Sequence, residues 1–314
     1  MKLFLKNILI FVSVISVVLI LSSIVYNHIK TAYLADKNLS ITPNTHILIL
    51  GDSHAETAFN DSIIPNSHNV AFHAEHYLFT YFKLKKLLHA NPQIDKVILS
   101  FGPHNISQSA DVTIFSESRN SRSFARYFML LNSEGVNDTY SSSQNWRTNY
   151  LKWKFGIPFQ LKLEAKLIYK TIFNKPISLN DFPFIGEFYK SNEHTFNNVN
   201  TAIHAHYFAD NKLLNESDLA IKYLYKIIDL TTSKGIKLYL VNTPQHKDYF
   251  NNIPDYFKNA YKKEINRIAH NYPDVIHLDL SQLKIDNSKF GDYHHVNNKG
   301  AQIVSLVLIQ NLDK

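Results

Sequence analysis

Two short stretches at opposite ends of the chain hold residues able to do chemistry together. The first is ILILGDSHAET, Ile47 to Thr57, where four apolar residues run into Gly51, Asp52, Ser53 and His54. The second is FGDYHHVNNKG, Phe290 to Gly300, in which two residues separate Asp292 from His295. A serine hydroxyl becomes a nucleophile only with a base beside it, and the base needs a group to orient it. On one turn, an Asp-x-x-His spacing lets the carboxylate reach the inner ring nitrogen of His295. The outer nitrogen is then free for Ser53. Either stretch alone also has a plain structural reading: Ser53 as a helix N-cap, and Asp292 and His295 as a polar turn before a final helix. Asp52 is expected to hold its turn by accepting from backbone N–H groups, and His294 to line a pocket or the surface.

The elements that must position these residues are legible as alternating strands and helices. Strand-like runs of Ile, Leu and Val occur at His46–Gly51, Lys96–Gly102, Lys237–Thr243 and Val275–Leu280, each closed by turn residues. Helical spacing of apolar residues fills the intervals at Tyr77–Leu88, Leu219–Thr232 and Tyr256–Ile268, and Ala301–Leu312 closes the chain. This alternation predicts an α/β fold with a mostly parallel sheet covered by helices on both faces. In such sheets sites gather at the carboxyl ends of strands, and Ser53, Asn105 and His246 all follow such ends. Residues 106–215 break the alternation. They are rich in Ser, Asn, Phe and Tyr, include Trp146 and Trp153, and are expected to form an inserted lobe.

The content and order of the two motifs resemble the SGNH (GDSL-type) hydrolase superfamily, over roughly residues 45–312 with the middle lobe unmatched, within an expected domain of residues 45–314. That resemblance implies a three-layer α/β/α sandwich and ester chemistry at Ser53, Asp292 and His295. It further implies an oxyanion hole built from Ser53, a backbone N–H in the second block and an asparagine in the third. This chain departs from the pattern in both later blocks. NVAFHAEHY, from Asn69, has no glycine, so Ala74 or a neighbour would have to serve. FGPHN, Phe101 to Asn105, replaces G-x-N-D with one extra residue and no aspartate, leaving Asn105 as the side-chain donor. His54, His104, His246 and His294 are candidate pocket residues for a sugar substrate, and His73 and His76 lie near the same mouth. More narrowly the chain resembles membrane-anchored bacterial relatives in cell-surface polysaccharide pathways. The expected substrate is therefore an acylated carbohydrate, cleaved or re-esterified.

Composition sets the boundaries. The 314 residues contain no cysteine, which excludes disulfides, thiolate metal sites and cysteine nucleophiles. The formal charge is +7, from 33 Lys and Arg against 26 Asp and Glu, with no basic run longer than two and no nucleic-acid-binding motif. A basic surface facing an anionic polysaccharide or lipid is the expectation. Ile8–Tyr26 is nineteen residues without a charge, preceded by Lys2 and Lys6. That is close to the roughly twenty residues a spanning helix needs, and a signal peptide has an apolar core of about 7 to 15. Residues 1–30 are expected to be a cytoplasmic tip and transmembrane anchor, 31–44 a stalk, and the rest to lie on the extracytoplasmic side of the bacterial inner membrane. No cofactor, metal or nucleic acid is expected. Two rivals remain: a non-catalytic polysaccharide-binding or assembly protein on the same fold, and a metallophosphoesterase reading Asp52 and His54 as D-x-H. The second lacks the later G-D-x-x-D and G-N-H-[DE] motifs.

Overall fold

The computed structural model describes residues 1–115, 126–140 and 161–312. Trp146 and Trp153 lie outside them. In chain order the elements are α1 (Lys2–Tyr33), β1 (Ile47–Leu50), α2 (Ser53–Ala58), β2 (Ser67–Asn69), α3 (Tyr77–Ala90), β3 (Lys96–Ser100), α4 (Ser109–Phe115), α5 (Ser133–Tyr140) and α6 (Leu161–Ile172). They continue with α7 (Val199–Tyr207), β4 (Phe208–Ala209), β5 (Lys212–Leu213), α8 (Asp218–Ser233), β6 (Lys237–Asn242), α9 (Lys247–Asn252), α10 (Asp255–Asn271), β7 (Ile276–Asp279) and α11 (Asn298–Leu312).

The chain divides into two compact units. One comprises residues 1–39 and 115–181. Here α1 is long and apolar enough to cross a membrane, and its apolar face is exposed along most of its length. It runs on to the buried Tyr33, within the segment read from sequence as a stalk, and the Tyr33 hydroxyl donates to the Asp181 carbonyl at 2.9 Å.

The other unit, residues 40–114 and 182–314, carries the sheet. Its five strands run in the order β2-β1-β3-β6-β7 and every neighbouring pair is parallel. The cause is compositional: β1, β3 and β6 are near-continuous Ile, Leu and Val, as strands buried on both faces must be. Because side chains alternate across a strand, Ile47, Ile49, Ile98, Tyr239 and Val241 share one face. There they pack with Ala55, Ala58 and Phe59 of the α2 segment and with Ala301, Val304 and Leu308 of α11. Leu48, Leu50, Val97, Leu99, Leu238 and Leu240 fill the opposite side, buried like the inner residues of α3 and α8, two helices that pack against each other. The α/β reading and the four strand-like runs hold. β2 was not anticipated, because Ser67-His68-Asn69 has no apolar pattern; it is an edge strand set by pairing to Ile47–Ile49. A further two-stranded hairpin, β4–β5, turns through Asp210 and Asn211, both at positive φ, as a two-residue turn of this kind requires.

Candidate active site

β1 ends at Gly51, and the glycine there is demanded twice. Its φ of +129° lies outside what L side chains adopt readily, and a Cβ would sit 2.0 Å from Ser100 Oγ on the adjacent β3. The chain can therefore turn tightly at the strand end. Asp52 follows as the N-cap of α2, its Oδ1 accepting from the His54 N–H at 3.0 Å. Ser53 is the first helical residue.

At the far end, Asp292 sits in a turn just before α11. Its Oδ1 accepts from the backbone N–H groups of His294 and His295, both at 2.8 Å. These two bonds fix the carboxylate, and its Oδ2 lies 2.8 Å from His295 Nδ1. His295 Nε2 lies 2.8 Å from Ser53 Oγ. In the tautomer that lets the serine donate to Nε2, Nδ1 carries the proton and donates to Asp292. Part-burial disfavours the Asp292 carboxylate, but the hydrogen bond and charge of His295 outweigh it and hold the group well below the usual carboxylate range. Ser53, His295 and Asp292 thus form one continuous chain of hydrogen bonds, with the serine hydroxyl at its outer end.

Asp52 has a larger part than the turn-holding assigned to it from sequence. Besides the His54 N–H, it accepts from Ser100 Oγ at 3.1 Å, His104 Nε2 at 2.8 Å and Asn105 Nδ2 at 2.7 Å. Burial alone would raise its pKa. The neighbouring His104, with the Asn105 amide and the His54 N–H, reverses that and brings it down to about 2. Both Asp52 oxygens are thus engaged by N–H and O–H donors, bonds that a metal ion bound at Asp52 would have to displace.

Of the oxyanion candidates, Asn105 is in a short 3₁₀ turn after β3, with Oδ1 accepting from the Gly102 N–H at 2.8 Å. One of its two amide hydrogens is committed to Asp52, which leaves the other to donate. Ala74 is in the loop after β2, which the Phe72 N–H bonds to the Gly51 carbonyl at 3.0 Å. Its φ is +53°, in the left-handed region that favours glycine. An alanine thus keeps a glycine-like backbone in the block where the family pattern has glycine.

The candidate pocket histidines separate. His54, His104 and His294 gather around His295: the His54 ring stacks on His104 at a centroid distance of 4.0 Å, lies 4.9 Å from His295, and His294 stands 4.0 Å from His295. His104 serves Asp52. His246 is elsewhere, buried among Phe196, Phe290 and Tyr293, with Nδ1 accepting from the Asp248 N–H as the N-cap of α9. Expected from sequence as a pocket residue, it is placed as the capping residue of α9. His76 likewise caps α3 and bonds Asp111 at 2.8 Å, while His73 is exposed beside Glu56. Sequence reasoning missed His206, which α7 brings to within 5.2 Å of the His104 ring and 4.8 Å of His294. It came from a stretch with no periodic signal; the one available cue was its place in the H-x-H pair His204/His206.

No protein-family model matches the chain, and no curated protein matches it. Among solved structures, one described provisionally as a platelet activating factor from Streptococcus pneumonia matches at a TM-score of 0.42 and 12% identity, over 96% of this chain and 98% of that one. The chemistry of this chain is therefore read from its own side chains.

Proposed function

We propose that the protein is a membrane-anchored serine esterase or O-acyltransferase of the SGNH kind, acting on acyl esters, chiefly acetyl, of a cell-surface polysaccharide. The observation that carries this reading is the hydrogen-bonded run Ser53–His295–Asp292 at the carboxyl edge of a parallel sheet. His295 Nε2 takes the serine proton as Oγ attacks the ester carbonyl. Asp292 keeps the ring in the right tautomer and stabilises the imidazolium. The proton then passes to the leaving alkoxide, giving an acyl-serine. The same imidazole next deprotonates the incoming nucleophile: water for hydrolysis, a sugar hydroxyl for transfer.

The oxyanion would take donors from the Ser53 N–H, the second Asn105 amide hydrogen and a backbone N–H near Ala74. One such donor is worth about 3 kcal/mol of transition-state stabilisation. The basic composition suits an anionic polymer, and Lys2 and Lys6 at the start of α1, ahead of its uncharged run Ile8–Tyr26, favour a cytoplasmic N-terminus with the catalytic unit outside.

The test uses the full chain in detergent with an activated acetyl ester, with and without an oligosaccharide acceptor. Acetyl release that disappears in both Ser53→Ala and His295→Ala, with more activity left in Asp292→Asn, is the expected result. Turnover by Ser53→Ala at the wild-type rate overturns it. Acetylated oligosaccharide among the products identifies transfer, and acetate alone identifies hydrolysis.

A further inference from the structure

Beside the serine and its base lies a second cluster that ester chemistry does not use. One ring nitrogen from each of His54, His206 and His294 falls within 4.8 Å of the other two. The three rings come from α2, α7 and the turn before α11, so the sheet unit itself converges them on one point. We propose that His54, His206 and His294 form a binding site for a divalent transition-metal ion of the zinc class, distinct from the Ser53–His295–Asp292 chain.

The donor arrangement is what such an ion needs. His54 is buried, 2% exposed, and its Nε2 has no hydrogen-bond partner, while its Nδ1 is bonded to Thr243 Oγ1 at 3.1 Å. An unpartnered buried nitrogen is costly and calls for an explanation. His294 Nδ1 is also buried without a hydrogen bond, 3.3 Å from Asp292 Oδ1. The remaining nitrogen of His206 is prepared by its neighbours. Its Nδ1 contacts the Tyr249 hydroxyl, and that hydroxyl donates to Tyr207. Tyr249 therefore accepts from His206 Nδ1–H, which leaves the lone pair on Nε2. Metal-bound histidines are typically oriented in this way, by a partner on the far ring nitrogen.

Protonation state agrees. Burial, reinforced by the neighbouring imidazoles, depresses His54 and His206 far below the usual histidine value and pushes His294 down to about 3. All three are thus neutral near pH 7, as imidazole ligands must be. Three imidazoles without thiolates suit zinc, copper, nickel or cobalt rather than calcium or magnesium. A tetrahedral zinc with bonds of about 2.1 Å holds its nitrogens about 3.4 Å apart, so the widest pair closes by about 1.4 Å. Asp292, His294 and His295 also converge. In that set, however, Asp292 and His295 are already bonded to each other, and His295 to Ser53.

The proposal does not rest on the hydrolase reading, and its test reads metal alone. The full chain in detergent is stripped with a chelator and dialysed against Zn²⁺, and bound zinc is counted by mass spectrometry. One Zn²⁺ per chain is expected, and Co²⁺ in its place should give the strong visible absorption of a tetrahedral nitrogen site. His206→Ala and His294→Gln should each weaken binding by at least about 100-fold, while Ser53→Ala retains the metal. Circular dichroism checks folding, and if His206→Ala unfolds, the half-buried His294→Gln alone decides. Absence of stoichiometric zinc in the wild type, or binding unchanged in His294→Gln, overturns the site.

Discussion

Replacing Asp52 tests whether the turn after β1 is organised as described. Its carboxylate accepts from four groups drawn from two neighbouring strand ends: the His54 N–H, Ser100 Oγ, His104 Nε2 and Asn105 Nδ2. Loss of an N-cap acceptor costs about 1 kcal/mol. Each of the other three donors, left buried without its acceptor, costs on the order of 1 kcal/mol or more. Asp52→Ala should therefore destabilise by about 4 kcal/mol, with some shortfall because the groups share one network.

Asp52→Asn keeps the shape and removes the charge. The wild-type carboxyl is lowered from 3.8 to about 2, which corresponds to about 2 kcal/mol of stability carried by the ionised form. A depressed folded-state pKa stabilises above the unfolded value and loses that contribution as pH falls toward the folded one. The gap between wild type and Asp52→Asn should thus be full at pH 7 and shrink by about half at pH 3. Urea unfolding of the full chain in detergent, followed by far-UV circular dichroism at both pH values, measures it. A gap under about 0.5 kcal/mol at pH 7 would mean that the four donors find other acceptors and that Asp52 is only a cap.

Four further outcomes are expected. Gly51→Ala should cost more than about 2 kcal/mol in the same unfolding assay, because both the positive φ and the 2.0 Å approach to Ser100 Oγ oppose a Cβ. Ala74→Gly should leave stability unchanged or raise it by up to about 1 kcal/mol, since its φ of +53° suits glycine; a clear loss would place Ala74's methyl in a contact that matters. Lys83 and Glu75 form a fully buried pair at 2.7 Å, with Lys83 also donating to the Val70 carbonyl. Lys83→Met should therefore cost about 3 to 5 kcal/mol, and the double variant with Glu75→Gln should recover much of it; equal losses in single and double variants would deny the coupling. A reporter active only in the cytoplasm, fused after residue 314, should be silent if α1 anchors the chain with its N-terminus inside.

The strands were legible because burial on both faces writes itself as unbroken Ile, Leu and Val, and α3, α8 and α10 because their apolar residues recur at helical spacing. β2 was not, since Ser67-His68-Asn69 owes its conformation to its neighbour and not to its own side chains. Ser53, Asp292 and His295 were readable from order and spacing. The part Asp52 plays was only half visible: an N-cap is local, whereas its bonds to Ser100, His104 and Asn105 depend on β3 lying beside β1. The surroundings of His246 were hidden for a similar reason: Phe196 and Phe290, distant in sequence, close over it. His206 gave no signal because convergence of imidazoles from α2, α7 and the last turn is a property of the fold.

Ser53 and His295 are 242 residues apart. Closing a loop of that length costs on the order of 5 kcal/mol in chain entropy, far more than one hydrogen bond returns. The contact is therefore held by everything that docks the chain's end: α11 against α2, the Asn60 N–H on Ser305 Oγ, and the Tyr239 hydroxyl on the Leu312 carbonyl. A nascent or truncated chain ending before Asp292 carries Ser53 without His295 beside it. Synthesis delivers the N-terminal segment first, so the Ser53–His295 contact forms only when the last helix has seated. On the proposed reading, activity would thereby be a report on completed folding.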